Sequence, residues 1–132
     1  AMSGSYLGPY FDNEEIKNKL NNLGAKFEIL EDDALIEKTA DDLSKGNAIG
    51  WFQGRREFGP RALGGRSILG DPRSSSMQKN LNLKVKYRES FRPFAPSILR
   101  DDVNDWFELN EDSPYMLLVA DIKKEKQNHF ER

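Results

Sequence analysis

Arginine and glycine are concentrated in one short stretch of the chain, residues 54–67, in a pattern typical of an anion-binding loop. Each guanidinium presents a planar fork that can hold two oxygens of a phosphate or carboxylate at once. The glycine spacing matches neither the phosphate loop of nucleotide-binding proteins nor the dinucleotide-binding motif. The stretch therefore predicts an anion site outside the standard nucleotide motifs. Its four arginines are Arg55, Arg56, Arg61 and Arg66.

A second group of polar and cationic residues follows at positions 84–97. If this segment is extended, Lys84, Lys86 and Arg88 share one face, because side chains alternate along a strand. Arg92 and the hydroxyl of Ser97 extend the group further. We expect this segment to form a second wall of the same anion site. The alternative is a solvated basic edge that resists pairing with other sheets.

The charge is unevenly distributed along the 132 residues. Residues 50–100 hold 11 lysines and arginines against three acidic residues, although the whole chain has a formal net charge of −2. The chain has no cysteine and a single histidine, His129. This composition excludes disulfides, thiol chemistry and multi-histidine metal sites, so we expect no metal site here. No apolar run is long enough to span a membrane, and we expect a cytoplasmic protein without a membrane partner.

The order of local patterns predicts the fold class. Apolar residues at helical spacing alternate with short apolar runs bounded by glycine and proline. This alternation predicts an α/β (α+β) fold with a mixed sheet. Helices are predicted from Asn13 to Gly24, from Asp33 to Gly46, from Ser74–Ser76 to about Leu83 and after Asp101, and strands at 27–30, 48–52, 67–69 and 115–121.

Two runs of sequence resemble a known family. The first lies at residues 50–73 and reads GWFQGR, EFGPRALG, RSIL and DPR. The second lies at residues 86–97 and contains Lys86, then RE, then FRPFAPS. Together they closely resemble the C-terminal domain of O-carbamoyltransferases, a family that includes nodulation-factor and antibiotic-tailoring enzymes.

The resemblance implies a fold and a division of the chain. The fold is a YrdC-like mixed, twisted sheet flanked by helices. The copy is expected to be incomplete, because two later segments of the family pattern are absent. Residues 8–121 would form the first half of the domain, residues 1–7 an expression remnant or linker, and residues 122–132 a charged tail.

The resemblance also implies a reaction. The domain would bind carbamoyl phosphate and support its conversion with ATP to carbamoyl-adenylate. An N-terminal domain like actin and sugar kinases, absent here with any metal ion, would transfer the carbamoyl group to a hydroxyl. Preplaced cations would stabilise the phosphate charges, and the fragment alone is expected to be inactive. The family positions imply catalytic roles for Arg61, Lys86 and Arg92, and substrate-binding roles for Arg55, Arg66, Arg88 and Ser97.

Two other functions fit the same residues. The cationic stretch with Tyr87, Phe91 and Phe94 would suit an RNA- or tRNA-binding module, or one like threonylcarbamoyl-AMP synthase. We do not expect nucleic acid as a partner, since these aromatic residues fit a core or platform better than base stacking. The stretch would also suit a docking domain without chemistry of its own.

Overall fold

The computed structural model describes residues 4–127. These residues fall into two compact units, one ending at Pro93 and the other beginning at Phe94. In chain order the elements are α1 (Asn13–Asn22), α2 (Asp32–Ser44), β1 (Ile49–Phe52), β2 (Arg66–Leu69), α3 (Met77–Asn80), a π-helix (Leu81–Val85), a 3₁₀ turn (Arg100–Asp102), α4 (Val103–Trp106) and a second 3₁₀ turn (Lys124–Lys126).

The first helix begins with a capping box. The carboxylate of Asp12 accepts the backbone N–H of Glu15 at 2.8 Å, and the Glu15 carboxylate accepts that of Asp12 at 3.3 Å. This exchange satisfies donors that have no partner inside a helix. The cap is therefore Asp12, one residue before the Asn13 at which the helix is predicted to begin. The predicted end at Gly24 is confirmed, because this glycine has a φ of +64° just after the helix.

The second helix starts one residue before the predicted Asp33. Asp32 and Asp33 both lie in its first turn, where acidic side chains interact favourably with the helix dipole. The helix ends at Ser44, and Gly46 follows with a φ of +82°. The prediction from the apolar stripe and the terminal glycine is therefore confirmed.

The strand predicted at residues 27–30 is wrong. This segment pairs with no other strand within residues 4–127, and it only connects α1 to α2. Phe27 and Ile29 are 40% and 68% exposed. A short apolar run becomes a strand only when it has a neighbour to complete its backbone hydrogen bonds. That neighbour is missing here.

The predicted strands around Trp51 and Ile68 are confirmed. β1 and β2 pair antiparallel, with Ile49 opposite Leu69 and Phe52 opposite Arg66. The chain thus combines helices and strands, as an α/β fold requires. The sheet has two strands, and the parallel pairing of a mixed sheet does not occur within residues 4–127. The pairing closes the loop at residues 53–65, which carries Arg55, Arg56 and Arg61 of the first arginine cluster, while Arg66 begins β2.

The buried apolar residues of the described chain lie just after β2. Met77 and Leu81 are 6% and 5% exposed. They pack against Gly70, where a Cβ would lie 2.8 Å from Cγ of Met77 and 3.0 Å from Cδ1 of Leu81. The end of β2 therefore fits against the α3 segment only because residue 70 has no side chain.

The helix after Ser76 differs from its prediction. It is α-helical only to Asn80 and continues as a π-helix from Leu81 to Val85. The backbone N–H of Lys86 donates to the carbonyl of Leu81 at 2.9 Å, the five-residue spacing of a π turn. The extended conformation considered for residues 84–88 is therefore wrong, and Lys84, Lys86 and Arg88 do not share a strand face.

The unit that begins at Phe94 contains little regular structure. The short helix predicted after Asp101 is confirmed. The strand predicted at 115–121 is wrong, because Met116 has a φ of +53° and residues 117–121 pair with no strand within residues 4–127. An isolated bridge joins Phe107 to Ile122 instead. No helix within residues 4–127 is long and apolar enough to cross a membrane.

The predicted tail at residues 122–132 extends beyond the described residues. His129 lies outside them, so no structural statement is made for it. The part of the predicted tail inside them forms the 3₁₀ turn at Lys124–Lys126. The predicted domain limits stay predictions, although Ser5, before the expected start at residue 8, is only 7% exposed.

Candidate anion site

A buried carboxylate organises the first arginine cluster. Glu57 is 3% exposed, and its Oε1 accepts the backbone N–H groups of Leu63 at 2.6 Å and Gly65 at 2.7 Å. These two bonds fold residues 57–65 around a single acidic side chain. The sequence patterns did not predict this role. The signal was a lone acid inside a cationic loop broken by glycines.

The second oxygen of Glu57 faces an arginine. Nε of Arg66 lies 3.6 Å from Oε2 of Glu57, whose side chain is 1% exposed. Both atoms are buried, and neither has a hydrogen-bond partner among residues 4–127. They therefore compensate one another as an ion pair, which is less screened here than at the surface. Nη2 of Arg66 also donates to the carbonyl of Gly59 at 2.9 Å.

The environment of Glu57 determines its charge. Burial by itself raises the pKa of the Glu57 carboxyl. Backbone N–H donors, those of Leu63 and Gly65 among them, act in the opposite direction and together lower the pKa below its ordinary value. Glu57 is therefore ionised at neutral pH, and its negative charge attracts the positive charge of Arg66.

The geometry of the loop requires glycine at position 65. A Cβ there would lie 3.0 Å from the carbonyl oxygen of Arg55 and 3.2 Å from Cδ of Glu57. The backbone of residue 65 must approach this closely to donate its N–H to the carboxylate. The side chain of Gln53, at the end of β1, closes the same corner by donating to the carbonyl of Gly64 at 3.2 Å.

Residues 5–9 run beside the loop. The carbonyl of Ser5 accepts the N–H of Phe58 at 2.7 Å, and the N–H of Gly8 donates to the backbone carbonyl of Arg56 at 2.8 Å. Arg55, predicted to bind substrate, uses Nη1 to donate to the carbonyl of Gly8 at 2.8 Å. At least one of its donors thus serves the fold. The predicted role of Arg55 in binding stays a prediction.

A second buried polar side chain organises the other cluster. Asn82 is 0% exposed, and its Nδ2 donates to the carbonyls of Ser90 at 3.1 Å and Arg92 at 2.8 Å. Its Oδ1 accepts Nε of Arg88 at 2.6 Å. One amide therefore holds the turn after the π-helix, at residues 86–92. The role of Asn82 was not predicted, because an asparagine between leucines carries no distinctive pattern.

The cations of the second cluster are arranged differently from one another. Lys86 is exposed directly after the π-helix. Arg92 is also exposed, and its Nε pairs with the Glu89 carboxylate at 2.8 Å. Tyr87 has a φ of +50° and is 86% exposed, and Phe91 is 77% exposed. Of the expected core or platform position, the core alternative is therefore wrong for these two aromatic residues, and the platform alternative stays a prediction.

An open cavity of about 490 Å³ lies against the sheet. Two of the seven predicted site residues line it, Arg66 from the first cluster and Lys86 from the second. Arg61 lies between two lining residues without lining the cavity itself, and Ser97 belongs to the other unit. The lining residues are Gly50, Trp51, Phe52, Pro60, Ala62, Arg66, Ser67, Ile68 and Lys86.

The cavity combines two kinds of surface. Trp51, Phe52 and Ile68 supply apolar area, while Arg66 and Lys86 supply positive charge. Such a mixture suits a small ligand with an anionic end. The described residues contain no group of three or more histidine, cysteine, aspartate or glutamate side chains placed to hold a metal ion.

Comparison with known proteins identifies the family. Residues 40–132 match the family described as carbamoyltransferase C-terminus. The chain is 60% identical over 127 residues to an uncharacterized protein of Synechocystis sp., covering 95% of the chain and 21% of that protein. The chain belongs to the carbamoyltransferase C-terminal family, and the resemblance found in its two motifs is confirmed.

Two further relatives have more informative names. Nodulation protein NolO of Bradyrhizobium diazoefficiens is 43% identical over 127 residues, which cover 93% of the chain and 23% of NolO. The 3'-hydroxymethylcephem-O-carbamoyltransferase of Streptomyces clavuligerus is 41% identical over 83 residues, 63% of the chain and 16% of that enzyme. The chain thus spans about a fifth of the length of these curated relatives.

Replacing Glu57 with glutamine is expected to lower the free energy of unfolding by about 2 kcal/mol at pH 7, because its two backbone hydrogen bonds lose their charge assistance and its ion pair with Arg66 is lost. The folded-state pKa of Glu57 lies below its ordinary value of 4.5. Its stabilising effect is therefore complete above that pH and is lost as the pH falls through the folded-state pKa. Urea unfolding at pH 7 and at steps below pH 4.5 should show the two proteins converging.

The control for this prediction is Glu28→Gln. Glu28 pairs with Lys38 at 2.6 Å, but both side chains are more than half exposed. Such pairs contribute little to stability, so this variant should unfold close to wild type. A Glu57→Gln difference that stayed constant at every pH would contradict an ionised, stabilising carboxylate.

Replacing Asn82 with alanine is expected to destabilise the protein by about 2–3 kcal/mol, because two backbone carbonyls and the Nε of Arg88 lose a buried partner. Thermal unfolding measures the loss. Asn80→Ala is the matched control, since Asn80 is exposed and its side chain makes no hydrogen bond within residues 4–127. Equal effects of the two substitutions would show that Asn82 does not organise the turn.

Proposed function

We propose that the chain is part of an O-carbamoyltransferase and that its cavity binds carbamoyl phosphate. The observation that carries this proposal is the meeting of Arg66 and Lys86 at one cavity. The two residues come from separate sequence motifs and are 20 positions apart. Family membership supports the same reading, and one relative is named as an O-carbamoyltransferase.

The proposed reaction needs strong electrostatic stabilisation. Carbamoyl phosphate, ATP and water would give carbamoyl-adenylate, phosphate and pyrophosphate, so charge accumulates on two leaving groups. Fixed cations stabilise such charge without a nucleophilic side chain. Arg66 offers a planar fork that can hold two oxygens, whereas Lys86 offers a compact charge at the end of a flexible stem. Arg61 and Arg92 are proposed to join them when both substrates are bound.

The rest of the reaction would occur outside this chain. We infer that the two units belong to a YrdC-like domain and that an N-terminal domain like actin and sugar kinases transfers the carbamoyl group to a hydroxyl. Any metal ion would be bound there. The relatives are about five times longer than this chain, which leaves room for such a domain. The cytoplasm, where ATP is available, would be the site of the reaction.

Carbamoyl phosphate binding tests the site directly. Lys86→Ala and Arg66→Ala should each weaken binding about 10- to 100-fold, because each removes a charge-assisted contact worth about 1.5–3 kcal/mol. Isothermal titration calorimetry of the chain measures this effect. Lys79→Ala is the control, since Lys79 is exposed on α3 and does not line the cavity.

A second measurement extends this test to the reaction. In the full-length gene product, Lys86→Ala and Arg61→Ala should abolish ATP-dependent release of pyrophosphate. Unchanged affinity in the chain together with unchanged pyrophosphate release would disprove the proposed site.

A role in RNA binding is the second candidate. It is favoured by the exposure of Tyr87 and Phe91 beside Lys86 and Arg92, because exposed aromatic rings flanked by cations can stack on unpaired bases. Under this hypothesis a single-stranded oligoribonucleotide should bind with an affinity that falls steeply as salt increases. Fluorescence anisotropy across a salt series provides the measurement. Absence of binding at low salt would eliminate this candidate.

A further inference from the structure

The buried Glu57–Arg66 pair raises a question about the cavity. Arg66 lines the cavity with about a third of its side chain exposed, while its Nε is buried against Glu57. A carboxylate next to an anion-binding arginine weakens the overall positive charge. Its presence must therefore serve another purpose than attraction.

We propose that Glu57 is a positioning residue, which fixes the guanidinium of Arg66 in the orientation that binds the anion. This inference rests on the proposed function, because it assumes that the cavity is the anion site. Glu57 itself would not touch the ligand, since its side chain is 1% exposed.

The contacts of the guanidinium support this assignment. Two of its three nitrogens are engaged by the loop, Nε by Glu57 at 3.6 Å and Nη2 by the carbonyl of Gly59 at 2.9 Å. The third, Nη1, has no hydrogen-bond partner among residues 4–127. One hydrogen bond to Gly59 and the charge of Glu57 beside Nε thus restrain the guanidinium and favour one direction for its remaining donors. The entropy cost of ordering the Arg66 side chain then arises on folding rather than on ligand binding.

The loop fixes Glu57 in turn. Its Oε1 is held by the N–H groups of Leu63 and Gly65, so Oε2 is left with a single direction, toward Arg66. The two oxygens therefore have separate roles. Oε1 holds the loop closed, and Oε2 orients the arginine.

Glutamine at position 57 separates these two roles. Its Oε1 can still accept both backbone N–H groups, so the loop keeps its closure. Its amide nitrogen replaces Oε2 and places an N–H donor opposite the Nε–H of Arg66. The ion pair becomes a contact between two donors, and Arg66 loses its orientation while keeping its charge.

A double-mutant cycle on the chain tests the proposal. The affinities of carbamoyl phosphate and of inorganic phosphate are measured by calorimetry for wild type, E57Q, R66A and E57Q/R66A. We expect E57Q to weaken binding about 3- to 10-fold in the wild-type background and to have no effect once Arg66 is alanine. The exposed-carboxylate control E28Q should bind as wild type does.

The outcomes separate the inference from the proposed function. If R66A and Lys86→Ala both bind like wild type, the cavity is not the anion site and the proposed function fails. If R66A weakens binding but E57Q does not, or if E57Q binds more tightly, only the positioning role is overturned. Equal losses from E57Q in both backgrounds would show a general structural effect and would also overturn it.

A further variant guards against misfolding of E57Q. Lysine at position 66 keeps the positive charge, but it has no planar fork with which to contact Glu57, Gly59 and the ligand at once. R66K should therefore lose about as much affinity as R66A while retaining the wild-type amide spectrum. Wild-type affinity in R66K would mean that charge alone suffices and that orientation by Glu57 is unnecessary.

Discussion

The first cationic loop depends on the burial of one negative charge. Glu57 accepts two backbone N–H groups and faces Arg66, so a loop of arginines and glycines closes around an acid. Without it, the buried N–H groups of Leu63 and Gly65 would lack an acceptor, at a cost of about 1–3 kcal/mol for each group, and Arg66 would lose its counter-charge. The glycines are needed for the same reason, because only a residue without a side chain can approach the carboxylate as Gly65 does.

The second cluster also depends on one buried polar side chain, but there the side chain is a hydrogen-bond donor rather than an acceptor. The turn at residues 86–92 directs carbonyl oxygens inward, so it requires a buried donor, and Nδ2 of Asn82 supplies it. The first loop directs N–H groups inward and requires an acceptor, which Glu57 supplies. In each cluster one buried polar side chain, chosen by the polarity of the backbone around it, orders a set of cations. Because these interactions are local, each cluster can keep its form with few buried apolar residues.

The sequence predicted the parts of the fold that depend on local patterns. α1, α2, β1 and β2 were found because their apolar spacing and terminal glycines are encoded within each segment. The strands predicted at 27–30 and 115–121 failed because a strand depends on a partner, which a local pattern cannot reveal. The motifs also identified the family, but the organisers Glu57 and Asn82 were missed. Their importance comes from burial and from contacts six to ten positions away along the chain.

The positive charge of residues 50–100 is larger than the charge that a ligand could contact. The 11 cations of residues 50–100 were treated as one field, yet the structure commits several of them to the protein. Arg55 donates to Gly8, Arg73 pairs with Asp71, and Arg88 donates to Asn82. These arginines build the loops, whereas the side chains of Lys86 and Arg61 make no hydrogen bond or ion pair within the described residues. A ligand would therefore contact only the few cations that the protein does not use itself. Arg66 does both, because it pairs with Glu57 and also lines the cavity.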